Sequence, residues 1–149
     1  MHTAKQIRLL LVDDDSDLST TVKKGLALQC DYDVDLVSSV DDALEKMTQK
    51  DYDLIVCDIR MSLTDGFEFL NELRTSGNQI PFIVFSVADD KETALTAFSL
   101  GANGFVGKYG NPKVVFSILK RCIDEAVKNF PKKLQTELLE VIQPVFTDN

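Results

Sequence analysis

Leu54-Ile55-Val56-Cys57-Asp58 is an apolar run that ends on an aspartate, and the fold can be worked out from this stretch. Four consecutive apolar residues are typical of a strand that is buried on both faces. A carboxylate at the end of such a strand is costly to bury unless it has a partner or a chemical role. An earlier run, Leu9-Leu10-Leu11-Val12, ends in the same way on Asp13-Asp14-Asp15. If the two strands are neighbours, their carboxylates converge on one point.

Apolar runs alternate with helical patterns along the rest of the chain. Predicted strands lie at 7–12, 34–37, 54–57, 81–85 and 104–107. Between the first two, Leu18, Val22 and Leu26 recur at helical spacing. Five strands alternating with five helices predict a doubly wound α/β fold, in which a parallel sheet carries helices on both faces. Binding sites of such sheets lie at the carboxyl ends of the strands.

Capping residues mark several predicted helix starts. Ser39 and Asp89 are each followed three residues later by an acid, and Asn111 precedes Pro112. The apolar residues expected to face the core from the fourth helix are Ala94, Leu95 and Phe98. The apolar side of the fifth helix is formed by Val114, Val115, Ile118, Leu119, Cys122, Ile123, Ala126 and Val127.

The 149 residues have the length and composition of one globular domain with a short extension. A formal net charge of −8 argues against non-specific binding of nucleic acid, which needs a basic face. The three cysteines lack zinc-ligand spacing and are expected to be reduced thiols. No apolar run is long enough to cross a membrane, and the first residues lack the apolar core of a secretory signal. A cytoplasmic location without membrane association is therefore expected.

Residues 129–149 differ from the repeating pattern before them. Leu134, Leu138 and Val141 follow helical spacing, so this segment is expected to form an extra C-terminal helix or a linker. It could lead to a further domain, form a dimerisation helix, or pack as a sixth helix on the domain itself. We expect no DNA-binding or enzymatic domain within residues 131–149.

Polar and charged side chains fall at the carboxyl ends of four predicted strands. They are Asp13, Asp14, Asp58, Ser86 and Lys108. Carboxylate oxygens suit Mg²⁺, and an aspartate can attack phosphorus to form an acyl phosphate. Phosphoryl transfer depends mainly on positioning and charge neutralisation, which Lys108 and a hydrogen bond from Ser86 can supply. The pattern therefore predicts a Mg²⁺-binding site at which one aspartate accepts a phosphoryl group.

The ordered set of these segments resembles the receiver domain of two-component response regulators. The matching segments are Leu10-Leu11-Val12-Asp13-Asp14, Val56-Cys57-Asp58-Ile59-Arg60-Met61, Asp65-Gly66, Ser86 and Gly101-Ala102-Asn103-Gly104-Phe105-Val106-Gly107-Lys108. The resemblance covers residues 5–128 and implies a flavodoxin-like sheet with the strand order 2-1-3-4-5. It also implies a signalling domain that accepts a phosphoryl group, and not an enzyme.

The resemblance further implies a separate role for each of the acidic residues. Asp58 is expected to accept the phosphoryl group from a sensor histidine kinase or a histidine phosphotransfer protein. Asp14 is expected to bind Mg²⁺ directly and Asp13 to bind it through water. Asp58 and the backbone carbonyl of Arg60 complete the implied set of metal ligands.

Three more residues have implied roles in switching. Lys108 is the expected partner of the phosphate, Ser86 the switch hydroxyl, and Phe105 the aromatic residue that turns inward on activation. The surface formed by the fourth helix, fifth strand and fifth helix is then expected to change its preference for a downstream partner or output domain. A homodimer that forms on phosphorylation is one such outcome.

Three positions depart from the usual pattern of the family. Ser62 and Tyr109 stand where proline is common, and Val87 follows the switch hydroxyl where alanine or glycine is usual. A cis peptide bond before a residue other than proline costs about 2.5–4 kcal/mol, so the Lys108–Tyr109 bond is expected to be trans. These departures are expected to affect the geometry of the loops around the acceptor and the rate at which the acceptor is phosphorylated.

Other interpretations of the acidic run fit less well. A haloacid-dehalogenase-like phosphatase would use Asp13 as its nucleophile, which leaves Asp58 unexplained. An EF-hand loop needs glycine and glutamate where this chain has Leu18 and Lys24, and no G-x-G-x-x-G motif follows the first strand. A pseudo-receiver, which keeps the fold as a binding module without being phosphorylated, remains the second hypothesis.

Overall fold

The computed structural model describes residues 6–61 and 65–128, which form alternating strands and helices. The strands are β1 Arg8–Val12, β2 Asp33–Val37, β3 Leu54–Cys57, β4 Phe82–Ser86 and β5 Gly104–Gly107. The helices are α1 Ser16–Cys30, α2 Val40–Gln49, α3 Gly66–Thr75, α4 Lys91–Ser99 and α5, which occupies residues 112–128. The extra helix or linker predicted for residues 129–149 lies outside the described residues.

All five strands are parallel and lie in the order β2-β1-β3-β4-β5. The predicted doubly wound α/β fold and its strand order are therefore confirmed. In the centre of the sheet, Leu11 lies opposite Leu36 on one side and Val56 on the other. The ladder continues past the strand ends, since the N–H of Asp58 donates to the carbonyl of Val12 at 2.9 Å. This register brings the residues after β1 and β3 to the same edge of the sheet.

Helices cover both faces of the sheet and form two apolar cores. Helices α1 and α5 pack on one face, where Leu26 and Leu119 are fully buried. Helices α2, α3 and α4 pack on the other face, where Ala43, Phe69 and Ala97 are almost fully buried. The continuous apolar runs in the sequence follow from this arrangement, because successive residues of a central strand enter opposite cores.

Most of the predicted helix starts are confirmed. The Ser39 hydroxyl accepts from the N–H of Asp42 at 3.1 Å, and the Asn111 side chain accepts from the N–H of Lys113 at 2.9 Å. The predicted start of α4 is wrong by one residue. Its cap is Asp90, whose carboxylate accepts from the N–H of Thr93 at 2.7 Å, and not the neighbouring Asp89.

The predicted inward face of α4 is also wrong. Leu95 and Phe98 are 58% and 50% exposed, whereas Ala97 is fully buried. In α5, Leu119 and Ile123 are buried as predicted, but Val114 and Ile118 stay half-exposed. Apolar residues occur on more than one side of both helices, so spacing alone could not identify the side that meets the sheet.

Two further expectations can be compared with the structure. Cys30, Cys57 and Cys122 are free thiols, as predicted. In the part of the chain that the structure describes, no helix is both long enough and apolar enough to span a membrane.

Candidate functional site

Three aspartates meet at the carboxyl edge of the sheet. One carboxylate oxygen from each of Asp13, Asp14 and Asp58 lies within 4.8 Å of the other two. Asp13 follows β1 directly and Asp58 follows β3 directly, and these two strands are hydrogen-bonded neighbours. Asp13 and Asp58 are buried, whereas Asp14 is exposed. The convergence predicted from the two apolar runs is therefore observed.

The two buried carboxylates are held by backbone donors. One oxygen of Asp13 accepts from the N–H of Asp15 at 2.9 Å. One oxygen of Asp58 accepts from the N–H of Arg60 at 3.1 Å. Each hydrogen bond fixes its carboxylate through one oxygen, so both aspartates point their second oxygen at a shared partner.

That partner is Lys108, which directly follows β5. Its ammonium nitrogen lies 2.7 Å from Oδ2 of Asp13 and 3.1 Å from Oδ2 of Asp58. Its side chain is only 4% exposed, so both ion pairs are shielded from water. One ammonium and three nearby carboxylates leave the site with an excess of negative charge.

Burial and the ion pairs change the pKa values of Asp13 and Lys108 in this cluster. It raises the pKa of Asp13 above its usual value, although the hydrogen bond from Lys108 opposes the rise. Burial alone would lower the pKa of Lys108, but its hydrogen bonds and ion pairs with Asp13 and Asp58 outweigh burial and raise the pKa. Lys108 therefore stays charged throughout the physiological range of pH.

Ser86 and Phe105 lie on the two strands beside this cluster. Ser86 is fully buried, and its hydroxyl oxygen accepts from the N–H of Ala88 at 3.1 Å. The backbone N–H of Lys108 donates to the carbonyl of Ser86 at 2.9 Å, which ties the two residues together. Phe105 is half-buried against the core beneath α2, α3 and α4. Their roles in switching remain predictions.

The loop after Asp58 is closed by Gly66. The N–H of Gly66 donates to the carbonyl of Ile59 at 3.0 Å, and Arg60 forms an isolated antiparallel bridge with Asp65. A Cβ atom at position 66 would lie 2.4 Å from the backbone oxygen of Asp58, so only glycine fits there. Asp65-Gly66 is a simple turn signal in the sequence, and the spacing of residues does not reveal this contact with the backbone of Asp58.

The residues that depart from the family pattern are mostly at the surface. Val87 is 43% exposed and Tyr109 is 70% exposed. The described residues contain no cis peptide bond, in agreement with the expectation for Lys108–Tyr109. Ser62 lies outside the described residues.

The chemistry of the donor set fits a divalent cation. Carboxylate oxygens are the ligands that Mg²⁺ prefers, and the buried Asp13 and Asp58 carry more negative charge than Lys108 balances. The exposed Asp14 leaves the cluster open to solvent on one side. The cluster is therefore compatible with Mg²⁺, while the contribution of the Arg60 carbonyl remains a prediction.

The sheet order, together with acids at the ends of the two central strands, defines a CheY-like flavodoxin fold. The family model for the response regulator receiver domain matches residues 9–120, and the chain belongs to that family. The resemblance found in the sequence is thereby confirmed.

Individual relatives agree with this assignment. The chain is 35% identical over 106 residues to the transcriptional regulatory protein ZraR of Klebsiella oxytoca, a match that covers 71% of this chain and 24% of that protein. The structure is similar to that of the chemotaxis response regulator CheY4 of Vibrio cholerae, with a TM-score of 0.69, 25% identity and coverage of 79% and 99% of the two chains. It is also similar to the non-phosphorylated HemR receiver domain of Leptospira biflexa, with a TM-score of 0.70, 29% identity and coverage of 79% and 94%.

Proposed function

We propose that this chain is a phosphorylation-switched receiver domain, spanning residues 5–128, in which Asp58 accepts a phosphoryl group. The observation that carries the proposal is the convergence of Asp13, Asp58 and Lys108. Asp58 is buried beside a cation and a second acid, and one of its oxygens is held by the N–H of Arg60. A structural cap would need the backbone contact alone, whereas a phosphoryl acceptor also needs the neighbouring charges.

Asp13, Asp14, Asp58 and the backbone carbonyl of Arg60 would hold Mg²⁺ in this proposal. When bound, Mg²⁺ neutralises charge on the oxygens of the incoming phosphoryl group. The burial of Asp13 and Asp58 makes an added cation favourable, because a single ammonium faces both carboxylates in a dry environment. Asp14, which is exposed, lies where an ion arriving from solvent meets the site first.

The donor is a phosphohistidine on a sensor kinase or a phosphotransfer protein. A carboxylate oxygen of Asp58 forms a bond to phosphorus while the bond from phosphorus to the imidazole nitrogen of the donor breaks. The imidazole leaves with that electron pair, and an acyl phosphate remains on Asp58. Lys108 is already 3.1 Å from the acceptor carboxylate, so a small shift of its ammonium would bring it to a phosphoryl oxygen.

The switch follows from the new charge on Asp58. Ser86 would exchange its hydrogen bond with the N–H of Ala88 for one to the phosphoryl group, and Phe105 would fill the space that opens behind it. The change is a shift between two packings of β4, β5 and the loops after them.

The output surface lies on the two helices that flank the edge strand β5. Leu95 and Phe98 of α4 and Val114 and Ile118 of α5 are all at least 50% exposed, and a grouping of exposed large apolar residues favours an interaction surface. We assign this surface to a protein partner, either an output domain or a second copy of the chain. The net charge of −8 disfavours direct binding of nucleic acid, and the proposed location is the cytoplasm.

The chain spans about a quarter of the length of ZraR, the first relative described above. The output activity of a longer protein is therefore part of the proposal and does not follow from the family alone.

Labelling with acetyl phosphate in the presence of Mg²⁺ tests the proposed function. The wild-type chain should acquire one phosphoryl group, and Asp58→Asn should acquire none. Asp13→Asn is the control variant: it removes a proposed ligand of the ion, so it should need more Mg²⁺ and still be labelled. Labelling of Asp58→Asn together with none of Asp13→Asn would favour the phosphatase-like mechanism, and absence of labelling in the wild type would favour a pseudo-receiver.

A further inference from the structure

The ammonium of Lys108 has an aromatic neighbour in addition to the two acids. Its nitrogen lies over the ring of Phe85, 5.3 Å from the ring centroid. Attraction between a cation and the face of an aromatic ring operates within about 6 Å of the centroid. Phe85 is 1% exposed and the Lys108 side chain is 4% exposed, so little water competes with the ring for the charge.

The pairing of β4 with the edge strand β5 fixes the backbone that carries this ring. Phe85 lies opposite Val106 in the β4–β5 register, and the N–H of Lys108 donates to the carbonyl of Ser86, the residue after Phe85. The ladder sets where the backbone of Phe85 lies, and close burial of the side chain limits how far the ring can move from the ammonium.

We infer that Phe85 is a positioning residue that holds the Lys108 ammonium beside the acceptor. The inference rests on the proposed function, in which that ammonium moves from the carboxylates to a phosphoryl oxygen. A carboxylate binds an ammonium through short, directed hydrogen bonds, whereas the face of a ring attracts a cation anywhere above it within about 6 Å of the centroid. The ring can thus stabilise the buried charge both before and after the move.

A purely structural role for Phe85 has to be weighed against this inference. Phe85 belongs to the core beneath α1 and α5, with neighbours such as Ile83 and Leu119, and a large apolar residue at this position would fill that core. Burial alone predicts that any side chain of similar size and shape would serve. The positioning role instead predicts that the electron density of the ring matters.

Phe82 provides a matched control on the same strand. It is fully buried, and its ring packs edge-on against Phe69 with the centroids 5.8 Å apart. Among the described residues, no cation lies over the ring of Phe82. Replacing Phe82 therefore perturbs packing in β4 without changing the surroundings of Lys108.

The first experiment places a ring-fluorinated phenylalanine at position 85 or at position 82. Fluorination withdraws electron density from the ring face while nearly keeping its size. At position 85 it should slow labelling by acetyl phosphate about three- to tenfold, the range that matches a partial loss of a buried cation–π contact. At position 82 the rate should stay at that of the wild type. Equal rates for the two fluorinated proteins would overturn the inference.

The second experiment does not depend on phosphorylation. A double-mutant cycle combines Phe85→Leu with Lys108→Met and follows unfolding by urea. The change in the unfolding equilibrium constant for the double variant should differ from the product of the single changes by about three- to tenfold. In the matched cycle of Phe82→Leu with Lys108→Met, the change in the unfolding equilibrium constant of the double variant should equal the product of the two single changes.

The two experiments separate failure of the inference from failure of the proposed function. If the wild type is labelled but both cycles are multiplicative, Phe85 is only a core residue and the inference is wrong. If the wild type is not labelled but the Phe85 cycle shows coupling, the contact is real, while the proposed function and the positioning role both fail.

Discussion

The ammonium nitrogen of Lys108 lies 3.1 Å from Oδ2 of Asp58, although the two residues are 50 positions apart in the chain. The same nitrogen contacts Asp13 at 2.7 Å, so one buried cation joins the ends of β1, β3 and β5. Removing one partner of a buried ion pair leaves the remaining charge uncompensated, which is more costly than losing an exposed pair. This relationship makes the site a determinant of stability as well as of chemistry.

Lys108→Met should destabilise the metal-free protein by about 3–5 kcal/mol, because Asp13 and Asp58 would then repel each other without a cation between them. Addition of Mg²⁺ should recover more stability in this variant than in the wild type. Urea unfolding with and without Mg²⁺ measures both effects.

Lys120→Met is the control for this prediction. Lys120 pairs with Asp124 at 3.1 Å, but both side chains are nearly half exposed, so the loss of stability should be far smaller than for Lys108→Met and insensitive to Mg²⁺. A metal-free Lys108→Met protein as stable as Lys120→Met would contradict the account of the site.

Gly66→Ala should destabilise the protein by about 1–3 kcal/mol and slow phosphorylation of Asp58, because the added Cβ would meet the backbone oxygen of Asp58 at 2.4 Å. Urea unfolding and the rate of labelling by acetyl phosphate check the two effects. Gly77→Ala is a suitable control, since its φ of +88° makes alanine strained while nothing lies within 4 Å of the new Cβ. That variant should lose stability but keep the labelling rate of the wild type. Normal labelling of Gly66→Ala would show that the contact does not position the acceptor.

Asp35, on the outermost strand β2, gives a prediction about how stability depends on pH. Burial alone would raise the pKa of Asp35, but hydrogen bonds from Tyr52 and Lys50 outweigh burial and lower the pKa below its usual value. Because the pKa of Asp35 is lower in the folded state, its contribution to stability is fully present above the unfolded pKa and is lost as pH falls through the folded pKa. Asp35→Asn should therefore cost about 1 kcal/mol at neutral pH and progressively less below about pH 4. Urea unfolding across this range checks the sign, and a difference that grows on acidification would contradict it.

The exposed apolar surface of α4 gives a prediction about partner binding. Phe98→Glu places a charge on a side chain that is 50% exposed, so the fold and the labelling rate should be unchanged. If a second copy of the chain is the partner, beryllofluoride with Mg²⁺ should double the solution mass of the wild type but not that of Phe98→Glu. Leu28→Glu changes an exposed apolar residue on a different helix, α1, and should dimerise like the wild type. Dimerisation of Phe98→Glu would show that another surface mediates assembly.

The sequence predicts the fold well wherever short-range patterns are sufficient. The predicted 54–57 and 104–107 strands match β3 and β5 in full, and the Ser39 and Asn111 caps are found where the local pattern places them. The order of the strands came from the resemblance, because spacing along a chain does not say which strands are neighbours. At α4, two adjacent acids could each have been the cap, so the start of the helix was ambiguous. Apolar residues lie on several sides of the helix, so its inward face was ambiguous as well.

The candidate site is predictable in its residue types but not in its contacts. The positions of Asp13, Asp58 and Lys108 at strand ends indicated that they would meet. Which carboxylate oxygens Lys108 contacts, and that Phe85 lies beneath its ammonium, depend on residues that are distant in sequence. These contacts require the register of the sheet and the rotamers of its side chains, which local patterns do not specify.

Chemical identification of the acceptor tests the central claim most directly. Borohydride reduces an aspartyl phosphate to homoserine, so peptide mapping of the phosphorylated and reduced chain reveals which aspartate carried the phosphoryl group. We predict homoserine at position 58 and intact aspartate at positions 13 and 14. Homoserine at position 13, with Asp58 intact, would contradict the assignment of Asp58 as the phosphoacceptor.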